Sequence, residues 1–502
     1  MTSRRRFFIN GTMLTLVGLS MKTASLLFGA FVSRAVGAEG TGLYTLVMTV
    51  YSFALTFATS GISLTVTRLV ASAIGEGKRS ELGRIMRGAV LYSLAFSIAA
   101  SAVLLLGADF FAKYILLDER SVLSLRILSA SLIPASLSAV IAGYFVGIRR
   151  VGANAAVQVI TQLVKVFITA YLVVRLSGYG TGVAVGALCL GLTCSELVAF
   201  LLMLIEFALD RRRWRDYGRS RGAEIKAVMN MALPLAFSAY IRSGLLTLEH
   251  MLIPKQLRKR EDSSTDALAD YGTLHGMALP LILYPMSPLS SFSGLLVPEF
   301  AEGLSSGNKD RLSRITTETV NTTLTYATVV SVLLFVFSEE LGFVVYNSYG
   351  AGKYIALIAP IVPIMYLDHV TDSMLKGIGE QVYSMWVNIS DSLLSIVLVW
   401  ILIPRMGIGG YAFVIVVMEG YNFILSVIRL RSKVRFTLYP IKSLVVPLLA
   451  ASASSYFTKL IFPMSGSATG AFWLVMQLIF TLSVLLLLYL PARWLSCRGS
   501  EI

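Results

Sequence analysis

The chain has 502 residues, of which 56% are hydrophobic and only 14% charged, against about 25% charged in a typical soluble protein. This composition excludes a water-soluble globular protein. The net charge of +15 does not indicate nucleic-acid binding, because no soluble stretch is long enough to carry a basic binding face.

Apolar runs of about 20 residues, the length that crosses a bilayer, recur from Phe7 almost to the C-terminus. The first run continues to Val32, longer than a signal-peptide core, and is therefore interpreted as a membrane span. The pattern predicts an all-α membrane protein of about fourteen transmembrane helices, at roughly 7–34, 42–73, 85–107, 122–148, 153–175, 182–208, 226–254, 270–300, 312–337, 354–376, 382–403, 409–429, 440–462 and 470–492.

The cations between these spans are distributed unequally. One predicted side of the membrane carries 27 Lys and Arg residues and the other carries 12. Because cytoplasmic loops accumulate cations, we predict a multi-pass protein of the bacterial cytoplasmic membrane with both termini in the cytoplasm.

The sequence also repeats itself. Gly77–Ile85 is similar to Gly307–Ile315, 230 residues later, and Gly147-Ile148 similarly matches Gly377-Ile378. Transporters are commonly built from two such repeats with the substrate path between them. We therefore predict two pseudo-symmetric six-helix lobes, at 1–208 and 225–436. An Arg-rich cytoplasmic linker at 209–224 joins them, and two additional helices with a C-terminal tail occupy 437–502.

Two local motifs resemble a known family. Arg34–Tyr44 (RAVGAEGTGLY) resembles the turn between helices 1 and 2 of polysaccharide and peptidoglycan-precursor exporters. Tyr271–Pro280 (YGTLHGMALP), continued by Leu296–Gly303, resembles helix 8 of the stage V sporulation protein B branch. Together with the predicted arrangement of six, six and two helices, these motifs make the chain resemble members of the multidrug/oligosaccharidyl-lipid/polysaccharide exporter superfamily. Members of that branch resemble lipid II flippases, and the resemblance implies a lipid-linked diphosphate substrate.

Two intramembrane cations are candidates for binding that substrate. A charge at mid-bilayer costs about 2.5–3.5 kcal/mol, so such residues are functional candidates. Lys22 lies near the middle of span 1, and Arg242 lies at the related place in span 7. Both cation types bind phosphate oxygens strongly where water is scarce. Lys22 could instead reach an interface, and Arg242 could pair with Glu249, two turns further on.

Further substrate contacts are predicted on helices 2, 5 and 8. In the lipid II flippases that the chain resembles, cations on helices 1, 2 and 8 line the cavity. In this chain, helix 2 carries Arg68. Helix 8 carries His275 in place of an arginine. Arg68 lies near a helix end and could be an interface anchor. Gln162 and Lys165 lie on a polar stripe of span 5, which either binds substrate or holds helices together.

Acidic residues of spans 7, 10 and 11 are candidates for ion coupling. Asp391, with Asn388 and Glu249, could bind Na⁺ through hard oxygen ligands, a site that resembles by position the cation site between helices 7, 11 and 12 of some lipid II flippases. Asp368, His369 and Asp372 form a possible proton relay, although these charges could simply lie near a helix end.

No motif indicates an enzyme: the sequence has no phosphate-binding glycine loop, nucleophile elbow or zinc-protease helix. The three cysteines predict neither a disulfide framework nor a metal site. We expect no cofactor beyond Na⁺ or H⁺ as the coupling ion.

The prediction is a flippase that moves a lipid-linked oligosaccharide or a peptidoglycan precursor such as lipid II by alternating access. A cation-coupled multidrug exporter is the first alternative, which the lysine and the lack of an acid in span 1 disfavour. A non-transporting scaffold for cell-wall synthesis is the second. Membrane lipid and an anionic precursor are the expected partners of a monomer, with cell-wall synthesis proteins as further candidates; a role in sporulation or in vegetative growth stays open.

Overall fold

The computed structural model describes residues 3–59, 61–148, 150–211, 224–259, 264–305, 309–462 and 470–498. Every regular element in these ranges is helical. Ten of the helices are long and apolar enough to cross a membrane, or eleven if the bent pair Glu119–Ser129 and Leu132–Gly147 forms one span. The predicted all-α membrane fold is confirmed, whereas the count of fourteen spans stays a prediction.

The first helix is broken at Gly37. The candidate span Gly18–Gly75 is 58 residues long, about 87 Å of helix, or nearly three times the hydrocarbon thickness. Gly37 has φ 71° inside this range, a conformation that glycine adopts without the steric cost of a side chain. The break lies between the predicted first and second spans, so the long helix can turn between two crossings.

Contacts divide the chain into two compact units, of which the first comprises Met1–Ala24 and Ala35–Gly272. Most of its helices are long and apolar. They are α1 (Ser3–Thr59), α2 (Ile62–Gly75), α3 (Leu82–Leu106), α4 (Ala108–Phe110), α5 (Val122–Ser129), α6 (Leu132–Gly147), α7 (Val151–Leu176), α8 (Thr181–Arg211), α9 (Ile225–Leu257) and α10 (Ser264–Tyr271).

The second unit comprises Ser25–Arg34 and Thr273–Ile502. Its helices are α11 (Leu279–Leu283), α12 (Ser287–Ser305), α13 (Lys309–Val336), α14 (Ser338–Tyr346), α15 (Tyr349–Ile358), α16 (Val362–Gly377), α17 (Gln381–Met406), α18 (Ile408–Lys433), α19 (Val446–Ile461) and α20 (Ala471–Arg498). These units are defined by contacts and the predicted lobes by a repeat, so the lobe boundaries stay a prediction. Most of the predicted linker, residues 212–223, lies outside the described residues.

Each unit has an apolar core of its own. In the first, α2, α3 and α6 pack around fully buried residues such as Ile62, Val66 and Val140. In the second, α12, α13 and α16 pack around Phe300, Val370 and Met374. In a membrane, lipid surrounds the helices with an apolar environment, so apolar burial adds little attraction between them. Tight van der Waals packing of these side chains is therefore the main attraction between the helices.

The repeat is visible in local geometry. Helices α6 and α16 end at Gly147 and Gly377, and the following isoleucines have φ/ψ of −85°/7° and −86°/7°. A Cβ on Gly147 would lie 2.9 Å from a methyl carbon of Val70, and one on Gly377 would lie 2.7 Å from Cβ of Phe300. Both helices therefore use a glycine to approach a neighbour closely, α2 in one case and α12 in the other.

Candidate transport site

Three carboxylates lie within electrostatic range of one another in the second unit. Asp368 on α16, Asp391 on α17 and Glu419 on α18 interact through their charges, and these three helices pack against each other. We call Asp368, Asp391 and Glu419 the acid cluster. The Ser426 hydroxyl, on α18, donates a hydrogen bond to Asp368.

Amide and hydroxyl groups lie on the same helices as the acid cluster. The Asn388 amide donates to the Ser384 carbonyl at 2.7 Å, and the hydroxyls of Ser390 and Tyr421 share a hydrogen bond of 3.0 Å. The side-chain oxygen of Asn422, one turn beyond Glu419, is buried and has no hydrogen-bond partner in the described part of the chain. Such oxygens are suited to a hard cation or to a proton carried by a neighbouring acid.

Like charges brought together in a low dielectric resist simultaneous ionisation. The acid cluster is therefore suited to bind a proton or a cation, which would neutralise part of its negative charge. Among the described residues, no group of three or more His, Cys, Asp or Glu side chains is arranged to hold a metal ion.

The structure brings together only part of the predicted ion-coupling set. Asp391 and Asn388 lie on α17, next to Asp368, which was predicted as part of a separate relay. Glu249 belongs to the first unit, on α9, where its charge interacts with Tyr271. Glu419 was missed, although a lone acid within the apolar span Ile408–Lys433 is a signal that could have identified it.

The predicted relay residues have different surroundings. The Asp372 carboxylate forms an ion pair of 2.5 Å with Lys376, one turn further on α16. The charge of Lys376 also acts on Asp368, but less directly than the contact with Asp372. His369 is half-buried on α16, and a role for it in proton transfer stays a prediction.

Three predicted substrate cations are exposed. Lys22, Arg68 and Arg242 all lie in helices of the first unit, and each side chain is exposed. None forms a salt bridge with the residues that the structure describes, whereas many other cations do. Arg242 and Glu249 are therefore not the closed ion pair that the sequence left open, and diphosphate binding by these cations stays a prediction.

Lys165 has an internal counter-ion. Its charge on α7 interacts with that of Glu196 on α8, and these two helices pack along their length. The partner was not predicted, because it depends on which faces of α7 and α8 meet. Gln162 is half-buried one turn earlier. Neutralisation by Glu196 favours the interpretation that the polar stripe holds helices together.

His275 lies in a π-helical turn, Gly272–Ala278, of the second family-like motif. Its ring centroid is 5.1 Å from that of Tyr411 on α18, with the planes tilted by 32°. Single π-helical turns within helices are frequent at functional sites. The structure therefore places His275 against α18, the helix that carries Glu419.

The two family-like motifs contact each other in the first unit. A Cβ on Gly272 would overlap the Ala38 carbonyl oxygen and lie 2.7 Å from the Gly42 Cα, and one on Gly42 would lie 2.9 Å from the Leu268 carbonyl carbon. In both motifs the glycines therefore allow one backbone to lie directly against the other. Small residues permit this closest class of helix approach in membranes.

Glu39, the acid of the first motif, belongs to an ion-pair network. The Arg120 guanidinium donates to Glu39 at 2.6 Å, to Asp118 at 2.7 Å and to the Thr181 hydroxyl at 2.8 Å. Arg120 thereby connects its own turn to α1 through Glu39 and to α8 through Thr181.

Comparison with known proteins places this geometry in a known fold. The chain matches a solved structure of a lipid II flippase, MurJ in an inward closed conformation, with TM-score 0.69 and 13% identity over 96% of this chain and 97% of that one. It also matches an inward-facing multidrug resistance MATE family transporter of the MOP superfamily, with TM-score 0.65 and 16% identity over 83% of this chain and 98% of that one. The fold is therefore that of MOP superfamily transporters.

The sequence matches agree with the fold. The family described as polysaccharide biosynthesis protein matches residues 8–304, and the MatE family matches residues 263–401. Stage V sporulation protein B of Bacillus subtilis is 25% identical over 421 residues, 82% of this chain and 81% of the relative. The chain belongs to the polysaccharide biosynthesis protein family within the MOP superfamily and is a multi-pass membrane transporter.

Proposed function

We propose that the chain is a flippase that translocates a lipid-linked diphosphate precursor, an oligosaccharide or a peptidoglycan precursor such as lipid II, across the bacterial cytoplasmic membrane. The observation that carries the proposal is the presence of Lys22 and Arg242, exposed cations in membrane-spanning helices without a salt bridge to any described residue. An uncompensated cation at membrane depth is costly. An anionic head group supplies the missing counter-charge when it binds.

Similarity supports the lipid-linked substrate class. One structural match is a lipid II flippase, and another relative, from Bacillus subtilis, is named for stage V of sporulation. In the proposed cycle, the two lobes expose the bound diphosphate first to the cytoplasm, where both termini lie, and then to the outside. The acid cluster binds the coupling cation, H⁺ or Na⁺, during this exchange.

Reconstitution tests the proposal. Purified protein in liposomes containing a fluorescent lipid-linked diphosphate should expose the label to a membrane-impermeant quencher, and Lys22→Ala should abolish this exposure. Lys353→Gln, which removes an exposed lysine at the start of α15, is the matched control and should retain transport. Normal translocation by well-folded Lys22→Ala and Arg242→Gln proteins contradicts the assignment.

A multidrug exporter is the second candidate, because the MatE family matches residues 263–401. The same liposomes separate the two candidates when they are loaded with a cationic dye. Dye transport without precursor transport identifies an exporter. Transport of neither, by protein that is folded and inserted, favours the non-transporting scaffold.

A further inference from the structure

The connection between α18 and α19, residues 434–440, is held in place by α13. The Asn321 amide donates to the Thr437 carbonyl at 2.8 Å, and its oxygen accepts from the Tyr439 amide and the Ser443 hydroxyl, each at 2.8 Å. The Thr437 amide also donates to the Thr317 hydroxyl at 3.2 Å. These bonds fix an extended connection on a rigid helix.

The cations around this connection fall into two groups. Arg429 and Lys433 form ion pairs of 2.7 Å with Glu380. Arg431 and Arg435 are exposed and have no acidic partner within the described ranges. Arg431 instead lies over the ring of Phe436, 5.3 Å from its centroid, so an aromatic ring positions its guanidinium without neutralising the charge.

Exposed aromatic and apolar side chains follow these cations within a few residues of the chain. Tyr439 is 48% exposed and Ile441 is 66% exposed, and Lys442 lies 6.0 Å from the Tyr439 ring centroid. Both flanking helices are long and apolar enough to cross a membrane. The connection therefore lies at a membrane surface, where tyrosine and the end of an apolar helix reach the head-group level.

Topology alone explains why cations are present on this side, but not why Arg431, near the end of α18, and Arg435, on the fixed connection, both lack an acidic partner among the described residues. We propose that Arg431 and Arg435, with Tyr439 and Ile441, form a binding site for the head group of an anionic phospholipid of the adjacent leaflet. Guanidinium groups bind phosphate oxygens bidentately, and the apolar side chains contact the start of the acyl chains.

The site lies outside the residues proposed to bind the transported precursor. It uses the second unit alone, and its lipid is a resident of the bilayer. In the predicted orientation this leaflet is the cytoplasmic one, whose anionic lipids attract juxtamembrane cations. Lipid binding would hold the inner ends of α18 and α19 at a constant depth in the membrane.

Native mass spectrometry of the purified full-length protein with added phosphatidylglycerol or phosphatidylcholine tests the inference. Wild type should retain phosphatidylglycerol preferentially, and salt should weaken this preference. Arg431→Gln with Arg435→Gln should lower phosphatidylglycerol binding about fivefold for each cation removed. Arg431→Lys with Arg435→Lys keeps both charges but loses the bidentate contacts, so it should bind phosphatidylglycerol less tightly than wild type and more tightly than the glutamine variant, which separates charge from folding.

The matched control is Lys226→Gln with Lys309→Gln, two exposed lysines predicted on the same membrane side, which should leave phosphatidylglycerol binding unchanged. The inference is overturned if the double glutamine variant of Arg431 and Arg435 binds phosphatidylglycerol like wild type, if the lysine control loses as much, or if free inorganic phosphate displaces the lipid at millimolar concentration.

Precursor translocation by the double glutamine variant is measured in parallel. A loss of transport with intact phosphatidylglycerol binding also overturns the inference, because the arginines would then belong to the substrate path.

Discussion

Gly42 and Gly272 lie backbone to backbone, so close that a Cβ on Gly272 would come within 2.7 Å of the Gly42 Cα. The two glycines belong to separate motifs, more than 200 residues apart in the chain. Each motif resembles its family counterpart partly through these glycines. The contact explains why this chain has glycine at both positions, because neither position has space for a side chain.

Substitution of this contact should destabilise the protein. Gly272→Ala places a methyl group against the Ala38 carbonyl and Gly42, and overpacking of this kind costs about 1–3 kcal/mol. We expect a lower midpoint of thermal unfolding for the detergent-purified protein, measured by intrinsic fluorescence. Gly83→Ala, where a Cβ would meet nothing within 4 Å, is the control; equal unfolding midpoints for both variants would show that the contact is not tight.

Removal of Arg120 should leave the buried carboxylate of Asp118 without its ion-pair partner. Asp118 has a side chain only 8% exposed, and Arg120 is its ion-pair partner. Arg120→Ala is expected to cost about 1–3 kcal/mol of unfolding free energy, since a desolvated charged acceptor loses its donor. Arg126→Ala breaks the exposed pair with Asp109, 51% and 67% exposed, and should cost at most about 1 kcal/mol. Denaturant titration of both variants compares them, and a smaller loss for Arg120→Ala refutes the network.

The Glu340–Lys459 pair should anchor α19 to the second unit. Glu340 is 3% exposed and lies 2.9 Å from the Lys459 ammonium. Lys459→Met strands a buried carboxylate, so we expect a larger loss of thermal stability than for Glu340→Gln, which leaves only a half-exposed lysine. The double variant should recover part of the loss. Additive effects of the two substitutions would exclude coupling between these side chains.

Acidification should loosen the inner end of the second unit. Hydrogen bonds from Lys433 and then Arg429 lower the pKa of Glu380 below its ordinary value of 4.5. A lowered folded-state pKa contributes stability that is present above the unfolded-state pKa and is lost as pH falls through the folded-state value. The unfolding midpoint of wild type should therefore decline below about pH 4.5 more steeply than that of Glu380→Gln, in a fluorescence scan over pH; parallel curves would remove this role.

Neutralisation of Glu419 should uncouple transport from its ion gradient. Its carboxylate interacts with Asp368 and Asp391, so Glu419→Gln removes one of the charges that a bound cation would balance. We expect the stimulation of precursor translocation by an imposed H⁺ or Na⁺ gradient to be lost, because the coupling ion loses part of its counter-charge. Glu318→Gln, at a side chain 63% exposed, should retain the gradient response. An unchanged response of Glu419→Gln places the coupling ion elsewhere.

The all-α membrane fold could be predicted from the sequence because a bilayer requires apolar runs of about 20 residues. The break at Gly37 was also predictable, since a glycine-rich motif separates two apolar runs there. Contacts between side chains of different helices could not be predicted. The positions of Glu196 near Lys165 and of Glu419 near Asp368 depend on which helix faces meet. That rotation is set by packing, and no period within a single helix encodes it.

Arg150 and Glu380 occupy the same place after Gly147-Ile148 and Gly377-Ile378, and their amides donate to the Phe145 and Leu375 carbonyls at 2.8 and 2.9 Å. Their charges are opposite: Arg150 binds Asp210, and Glu380 binds Arg429 and Lys433. If the repeat builds two lobes of one architecture, as predicted, a helix from one copy risks assembling into the other during synthesis. Here such an exchange would set Arg150 against Arg429, so electrostatic repulsion discriminates against the misassembled form.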